Sequence, residues 1–138
     1  MTYKKILTVQ DISCVGKCSL TVALPILSAA GYEVCPLPTA LLSTHTGVFS
    51  GYTFKNLDDQ MLPITNHWKE SKIDFDAIYS GYLGSFEQIE YVKEIVKNFS
   101  GENVTVLVDP VMGDNGRLYS GFDEKFAKGM RDLLQYAD

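Results

Sequence analysis

Polar residues follow three apolar runs of the sequence, at the points where predicted strands end. Asp11 and Ser13 come after the first run. The tripeptide Ser-Gly-Tyr at 80–82 ends another, and Asp109 and Asp114 come after a third. In an open parallel sheet, ligands bind beyond the carboxyl ends of the strands. If these strands are neighbours, the three groups share one rim, and their convergence there predicts a binding site.

The stretch Gly16-Lys17-Cys18-Ser19 is close to the end of a nucleotide-phosphate loop, whose pattern is Gly-x-x-x-x-Gly-Lys-Ser/Thr. Two positions depart from that pattern, because Asp11 stands where the first glycine belongs and Cys18 replaces Ser or Thr. Asp11 would place a negative charge beside the phosphates, and it lacks the access of glycine to positive φ. We therefore interpret this stretch as the start of a helix with an exposed lysine.

Asp109 and Asp114 lie five residues apart in the sequence DPVMGDNG. Two carboxylates near a turn can hold Mg²⁺, usually with substrate phosphates and water completing the coordination. The alternative is structural, with Asp109 capping a turn and Asp114 beginning an Asp-Asn-Gly turn. Taken alone, the residues leave both interpretations open.

A long connection at 39–57 has no strong periodicity, and long ordered loops in compact domains tend to be functional. Its STHTG sequence at 43–47 offers hydroxyls and one imidazole, which suit a small polar ring but are also ordinary loop composition. Tyr82 has the same ambiguity, because a tyrosine can stack on an aromatic ligand but more often packs.

The apolar spacing predicts that strands alternate with helices. Strands are expected at 5–10, 33–37, 77–80 and 104–108. Four helices are expected. The first is kinked by Pro25 and stops at Gly31, the second is opened by Asp58 and Asp59, and the third follows a Ser85–Gln88 capping box. Their apolar faces, with that of the last helix, are Leu20, Ala23, Leu24 and Leu27; Met61, Ile64 and Trp68; Ile89, Val92, Val96 and Phe99; and Phe126, Met130, Leu133 and Leu134. Such alternation predicts an α/β fold, a three-layer αβα sandwich with a mainly parallel sheet.

Composition excludes several classes of function. A formal charge of −5 with scattered lysines argues against a nucleic-acid partner, which needs clustered Lys and Arg. No apolar run is long enough to cross a membrane, and Gln10 and Asp11 interrupt the first run too early for a signal peptide. Three cysteines without a CxxC pair, and two separated histidines, predict free thiols in a reducing cytoplasm and no zinc site.

Four stretches in this order resemble the vitamin B6 kinases (pyridoxal/pyridoxamine kinases) of the ribokinase-like superfamily. They are QDISCVGKCS at 10–19, STHTG at 43–47, SGYLGS at 80–85 and DPVMGDNG at 109–116. The resemblance runs along residues 1–138 as a single N-terminal portion of the family's domain. It implies an ATP-dependent transfer of phosphate to the hydroxymethyl group of a pyridine ring, with Mg²⁺, possible use of a monovalent cation, and a homodimer.

The resemblance also implies roles for individual residues. Asp11, Thr46 and Tyr82 match positions that contact the vitamin, and Asp109 and Asp114 match acidic residues beside the ATP phosphates and the cations. The segment 115–120 corresponds to a flexible loop near the active site. Asp11 stands where many relatives have Ser, which changes the charge at the ring.

The catalytic base and the Gly-rich anion-binding turn of the family are expected beyond Asp138, since no Gly-x-Gly-Asp occurs in the chain. The isolated chain is therefore expected to catalyse poorly or not at all. Three alternatives stay open: a hydroxymethylpyrimidine kinase or other small-molecule kinase of the superfamily, a non-catalytic half-domain that binds a vitamin or self-associates, and an unrelated flavodoxin-like protein.

Overall fold

The computed structural model describes residues 3–138. Its strands are β1 (Lys5–Val15), β2 (Glu33–Thr44), β3 (Phe54–Asn56), β4 (Ala77–Ser80), β5 (Thr105–Val108), β6 (Gly113–Asp114) and β7 (Arg117–Leu118). Its helices are α1 (Leu20–Ala29), α2 (Asp58–Glu70), α3 (Phe86–Phe99) and α4 (Glu124–Leu133), and a 3₁₀ turn follows at Leu134–Tyr136. The α/β alternation that the sequence predicts is confirmed.

Five strands form one sheet in the order β3-β2-β1-β4-β5. The pairs β1–β2, β1–β4 and β4–β5 are parallel, and only β3 runs antiparallel, at the edge beside β2. The chain places β2 and β3 on one side of β1, and then β4 and β5 on the other side. This reversal of direction between β1 and β4 is the place where open α/β sheets form a ligand crevice.

The helices cover the two faces of the sheet unequally. One face is packed by α2, α3 and α4, whose buried Met61, Ile89 and Met130 join Ile78 of β4 in a continuous apolar core. The other face carries α1, which contacts β1 and β2 and buries Leu20 and Ala23 outside that core. The predicted three-layer sandwich is therefore confirmed, with one outer layer much thinner than the other.

Two strands are longer than the sequence predicts. β1 was expected to end at Gln10 and β2 near its two prolines, but β1 continues to Val15 and β2 to Thr44. Glu33 N–H donates to Lys4 C=O of the β1 side, and in a parallel pair every second residue bonds to the same neighbouring strand. The backbone groups of Pro36 and Pro38 therefore face away from β1. β3 pairs only with residues 40–42, and the prolines therefore face an open edge that needs no N–H.

Helix boundaries follow the local signals with two exceptions. Ser85 Oγ accepts a hydrogen bond from Gln88 N–H, but the Gln88 side chain does not reach back to close the predicted capping box. The last helix ends at Leu133, and Leu134 lies 43% exposed in the 3₁₀ turn rather than on the apolar face. Pro25 lies inside α1 as expected, and α2 begins at Asp58.

No helix within residues 3–138 is both long and apolar enough to span a bilayer.

Candidate functional site

A cleft of about 840 Å³ opens where the carboxyl ends of β1, β4 and β5 meet. Its lining includes every residue singled out as a ligand contact: Asp11, Thr46, Tyr82, Asp109 and Asp114. Side chains of α1 form one wall, and Tyr79 of β4 forms part of the floor. The predicted convergence of separate loops on one rim is confirmed as geometry, whereas the roles of these residues stay predictions.

Asp11 lies inside β1, not after it, at a point where the pairing with β2 loses its register. Gln10, Asp11 and Ser13 all line the cleft, although neighbouring side chains of a regular strand point to opposite faces. The Asp11 side chain is 4% exposed and accepts a hydrogen bond from Ser13 Oγ at 3.2 Å. Cys18 Sγ donates to the same Ser13 oxygen at 3.4 Å, so a thiol, a hydroxyl and a carboxylate form one short chain.

Tyr82 follows β4 and is held from both sides. Its carbonyl oxygen accepts a hydrogen bond from Thr39 Oγ1 at 3.1 Å, and its ring packs 5.9 Å from the Phe122 ring. The preceding residue is Gly81, where a Cβ would lie 2.8 Å from the Gln10 side chain, so the close packing there favours glycine. Burial, followed by the negative charges of Asp11 and ionised Tyr52, raises the pKa of Tyr82 to about 12. Tyr82 is therefore a neutral phenol at physiological pH.

The segment 43–47 splits into two parts. Ser43 and Thr44 end β2, whereas His45 and the exposed Thr46 line the cleft. His45 Nδ1 accepts a hydrogen bond from Gly47 N–H at 3.2 Å, which leaves the proton of the neutral ring on Nε2. The ring lies against Gly16, where a Cβ would come within 2.0 Å of His45 Cδ2. Gly16 therefore makes room for the imidazole, and Lys17 beside it is exposed and absent from the cleft lining.

Asp109 and Asp114 are both exposed and approach the cleft from its β5 side. β6 and β7 form a small hairpin around Asn115 and Gly116, whose φ angles of 49° and 76° are those of a two-residue type I′ turn. The Asp-Asn-Gly turn of the structural alternative is thus present, and the hairpin turns Asp114 toward the same opening as Asp109, so the role of the two carboxylates stays a prediction.

These two carboxylates fit Mg²⁺ only in part. No cluster of three or more His, Cys, Asp or Glu that could hold a metal occurs among residues 3–138. Mg²⁺ is commonly bound by one or two carboxylates, with waters and substrate phosphates as its other ligands. Asp109 and Asp114 suit that mode, in which the nucleotide brings most of the coordination sphere.

The charge of the cleft is one-sided. Asp11, Asp109 and Asp114 line it, and among the described lining residues there is neither Lys nor Arg. Because Asp11 is buried with a hydroxyl as its hydrogen-bond partner, the inner end of the cleft favours a ligand that is cationic or donates hydrogen bonds.

A comparison with models of protein families finds no match. Among curated proteins, one from Saccharomyces cerevisiae, provisionally named a pyridoxal kinase, is 33% identical over 97% of this chain and 43% of its own length. The pyridoxal kinase of Arabidopsis thaliana is 28% identical over 83% of this chain and 38% of its own length. The chain therefore spans less than half the length of these relatives.

Solved structures agree with the sequence matches. A Bacteroides thetaiotaomicron protein, provisionally named a phosphomethylpyrimidine kinase and crystallised with pyridoxal, has a TM-score of 0.96 and 50% identity over 99% of this chain and 48% of its own. The pyridoxal kinase of Lactobacillus plantarum has a TM-score of 0.89 and 35% identity over 96% of this chain and 47% of its own. The chain is homologous to vitamin B6 kinases over about half of their length. Its sheet and helices have the ribokinase-like fold of these kinases.

The pyridoxal kinase of Leishmania donovani, solved with ADP and pyridoxamine, matches 98% of this chain and 48% of its own with a TM-score of 0.84 and 25% identity. That protein binds a nucleotide and a B6 vitamer together. Homology to such kinases supports phosphotransferase chemistry and nucleotide use for the family to which this chain is related.

Several cleft residues are not singled out by the sequence patterns. Tyr52 and Tyr119 add two aromatic rings to the lining, from the 45–53 loop and from the segment after β7. Cys18 and Gln10 also face the cleft. Tyr119 lies in the segment 115–120, which the resemblance placed near the active site, and its ring lies 6.4 Å from Phe122, which also supports Tyr82.

Proposed function

We propose that this chain forms the vitamin-binding side of an ATP-dependent kinase that phosphorylates the hydroxymethyl group of pyridoxal, pyridoxine or pyridoxamine. The observation that carries the proposal is the meeting of Asp11, Thr46, Tyr82, Asp109 and Asp114, from separate segments, in one cleft. The names and bound ligands of the homologous structures support the same substrate class.

The inner end of the cleft is the proposed ring site. The flat side of Tyr82, fixed by Phe122, packs against the pyridine ring, and the Thr46 hydroxyl bonds to a ring substituent. Asp11 accepts a hydrogen bond from the protonated ring nitrogen, as carboxylates do for other pyridine cofactors. Burial of this carboxylate makes the interaction stronger than it would be in water.

The outer end is the proposed phosphate site. Asp109 and Asp114 would hold the Mg²⁺ that neutralises the nucleotide phosphates. In the proposed step, the substrate oxygen forms a bond to the γ-phosphorus, the bond from phosphorus to the ADP oxygen breaks, and a base takes the hydroxyl proton. We assign no residue of this chain to that base, since the sequence has no Gly-x-Gly-Asp turn to carry it. The isolated chain is therefore expected to bind substrate with little or no turnover.

Calorimetric titration of the chain with pyridoxal, pyridoxamine and pyridoxine, without nucleotide, tests the ring site. We expect saturable 1:1 binding that Asp11→Asn weakens by about tenfold, the loss of roughly one charge-assisted hydrogen bond. The matched control is Asp74→Asn, which changes the same charge at an exposed position outside the cleft and leaves the affinity unchanged. Absence of saturable binding for all three vitamers, or equal effects of the two variants, contradicts the proposal.

A hydroxymethylpyrimidine kinase is the second candidate, because the Bacteroides thetaiotaomicron homologue is named for that chemistry and a buried carboxylate also suits an aminopyrimidine edge. The same titration with 4-amino-5-hydroxymethyl-2-methylpyrimidine separates the two candidates. Tighter binding of the pyrimidine than of every B6 vitamer would reassign the substrate.

A further inference from the structure

Ser13 lies between the Asp11 carboxylate and the Cys18 thiol at the inner end of the cleft, and all three residues line it. Its side chain is buried, at 1% exposed, and its oxygen accepts the hydrogen bond from Cys18 Sγ. A hydroxyl carries a single hydrogen, and the thiol already supplies the donor on this side of the oxygen. The Ser13 hydrogen is therefore directed to Asp11 Oδ2.

The two carboxylate oxygens of Asp11 differ in their surroundings. Oδ2 accepts the hydrogen bond from Ser13, whereas Oδ1 accepts none from the residues that the structure describes. Oδ1 is also not sealed from solvent, although the residue as a whole is 4% exposed. Because Asp11 lines the cleft, Oδ1 is the oxygen that a ligand at the inner end meets first.

The position of Cys18 is fixed by the loop that joins β1 to α1. Thr21 Oγ1 accepts a hydrogen bond from Cys18 N–H at 3.2 Å and donates to Cys18 C=O at 2.8 Å. An isolated bridge between Ile12 and Ser19 holds the same loop against the end of β1. The orientation of Ser13, and through it that of Asp11, is therefore set by the fold before any ligand binds.

We propose that Ser13 is a specificity-determining residue of the ring site, which favours a ring with one N–H donor over a ring with two adjacent donors. This inference rests on the proposed function. A B6 vitamer protonated on its ring nitrogen presents one N–H between two carbon-bound neighbours, and one acceptor oxygen, Oδ1, is sufficient for it. A protonated aminopyrimidine presents a ring N–H beside an amino group, and this pair is best matched by both oxygens of a carboxylate.

The hydrogen bond from Ser13 thus acts on the two ligands in opposite directions. It orients Asp11 for a single donor, and it occupies the oxygen that the amino group of the pyrimidine would need. Removal of the Ser13 hydroxyl frees Oδ2 and lets the carboxylate rotate. The B6 vitamer then loses a preoriented acceptor, whereas the aminopyrimidine gains a second one.

Calorimetric titration of Ser13→Ala with pyridoxine and with the aminopyrimidine alcohol tests this role. We expect the affinity for pyridoxine to fall by about three- to tenfold, the effect of one hydrogen bond, and the affinity for the aminopyrimidine to stay the same or rise. The matched control is Ser28→Ala, an exposed serine of α1 outside the cleft, which leaves the ratio of the two affinities unchanged. Circular dichroism verifies that both variants are folded.

A third ligand separates this role from a merely structural one. The benzene analogue of pyridoxine has a C–H in place of the ring nitrogen and cannot donate to Asp11, so Ser13→Ala is expected to leave its affinity unchanged. In an Asp11→Ala background, Ser13→Ala should likewise have no further effect on pyridoxine binding.

Equal losses for pyridoxine, its benzene analogue and the aminopyrimidine would overturn the specificity role while the proposed function stands. If none of the B6 vitamers binds to the unchanged chain, the proposed function is contradicted, and this inference is contradicted with it.

Discussion

The two faces of the sheet are built for different tasks, and β4 and β5 show the division residue by residue. Ile78 and Val106 point into the face packed by α2, α3 and α4, where they are 1% and 5% exposed. Their neighbours Tyr79 and Leu107 point to the other face, where Tyr79 lines the cleft and Leu107 is exposed. The apolar core therefore lies on the covered face, and the other face carries the cleft.

The helices on the two faces differ in the same way. α3 carries charged residues on its outer side, such as Glu90, Glu94 and Lys97, and buries Ile89, Val92 and Ile95. α1 has the sequence LTVALPILSA, without a charged residue, and exposes Leu24 and Ile26. A helix that is apolar on all sides is normally buried. The composition of α1 is therefore that of a buried helix, although Leu24 and Ile26 are exposed.

The largest expected effect is a cavity on the covered face. Ile95 is fully buried in α3, and Ile95→Ala is expected to lower the free energy of unfolding by about 2–5 kcal/mol. Leu107→Ala on the uncovered face is the matched change and is expected to cost less than about 0.5 kcal/mol in the isolated chain. Urea denaturation followed by circular dichroism measures both. Comparable losses would show that the uncovered face contributes equally to stability.

A smaller effect is expected where the covered face meets the rim of the cleft. Gln88 is fully buried, accepts a hydrogen bond from Gly84 N–H, and donates to Thr39 C=O and Asn56 Oδ1. Gln88→Ala leaves the Gly84 N–H without its partner, which is expected to cost about 1–3 kcal/mol, whereas the Thr39 C=O keeps the hydrogen bond from Leu57 N–H.

The exposed Gln60 of α2 provides the control, since Gln60→Ala removes the same side chain without a buried partner. In addition to destabilisation, Gln88→Ala is expected to weaken vitamin binding, because Thr39 also holds the Tyr82 carbonyl. A destabilised variant with unchanged vitamin affinity would contradict this coupling between Gln88 in the core and Tyr82 in the cleft.

A third prediction concerns Gly16 and Gly31, which share positive φ angles of 95° and 91° but differ in surroundings. A Cβ at Gly16 meets the His45 ring, whereas a Cβ at Gly31 meets no atom within 4 Å. Both alanine variants carry the backbone strain of about 1 kcal/mol, and only Gly16→Ala displaces His45 from the cleft. Calorimetry with pyridoxal should show reduced affinity for Gly16→Ala alone. Equal affinities would show that the position of His45 has no bearing on the ligand.

Local signals in the sequence predict the covered face well. The apolar spacing of α3 and the Ser85 cap each depend on a few neighbouring residues, and each is found as expected. The ends of β1 and β2 could not be predicted this way. Their length depends on pairing between distant segments, which makes Pro36 and Pro38 acceptable on an open edge.

The cleft shows the same limit. Asp11, Tyr82 and Asp109 could be selected because polar residues at strand ends mark a ligand site in parallel sheets. The irregular pairing that brings both Gln10 and Asp11 to the cleft has no signal in the sequence around Asp11. Tyr52 and Tyr119 reach the cleft from loops whose paths are set by tertiary contacts.

The smallest expected effect is the titration of Tyr82, which reports how well the cleft shields this side chain from water. Burial raises its pKa to about 12, above the ordinary value of 10.0. Because the unfolded chain ionises this group first, the folded state is expected to lose stability as pH rises from about 10 toward about 12. An ultraviolet titration of phenolate absorbance should show one late step that Tyr82→Phe removes. Asp11→Asn should shift that step slightly downward, since Asp11 contributes less than burial does. If Tyr82→Phe instead removes a step near the ordinary value of 10.0, solvent reaches this ring freely, and the cleft lacks the low-polarity wall that the contrast between the two faces requires.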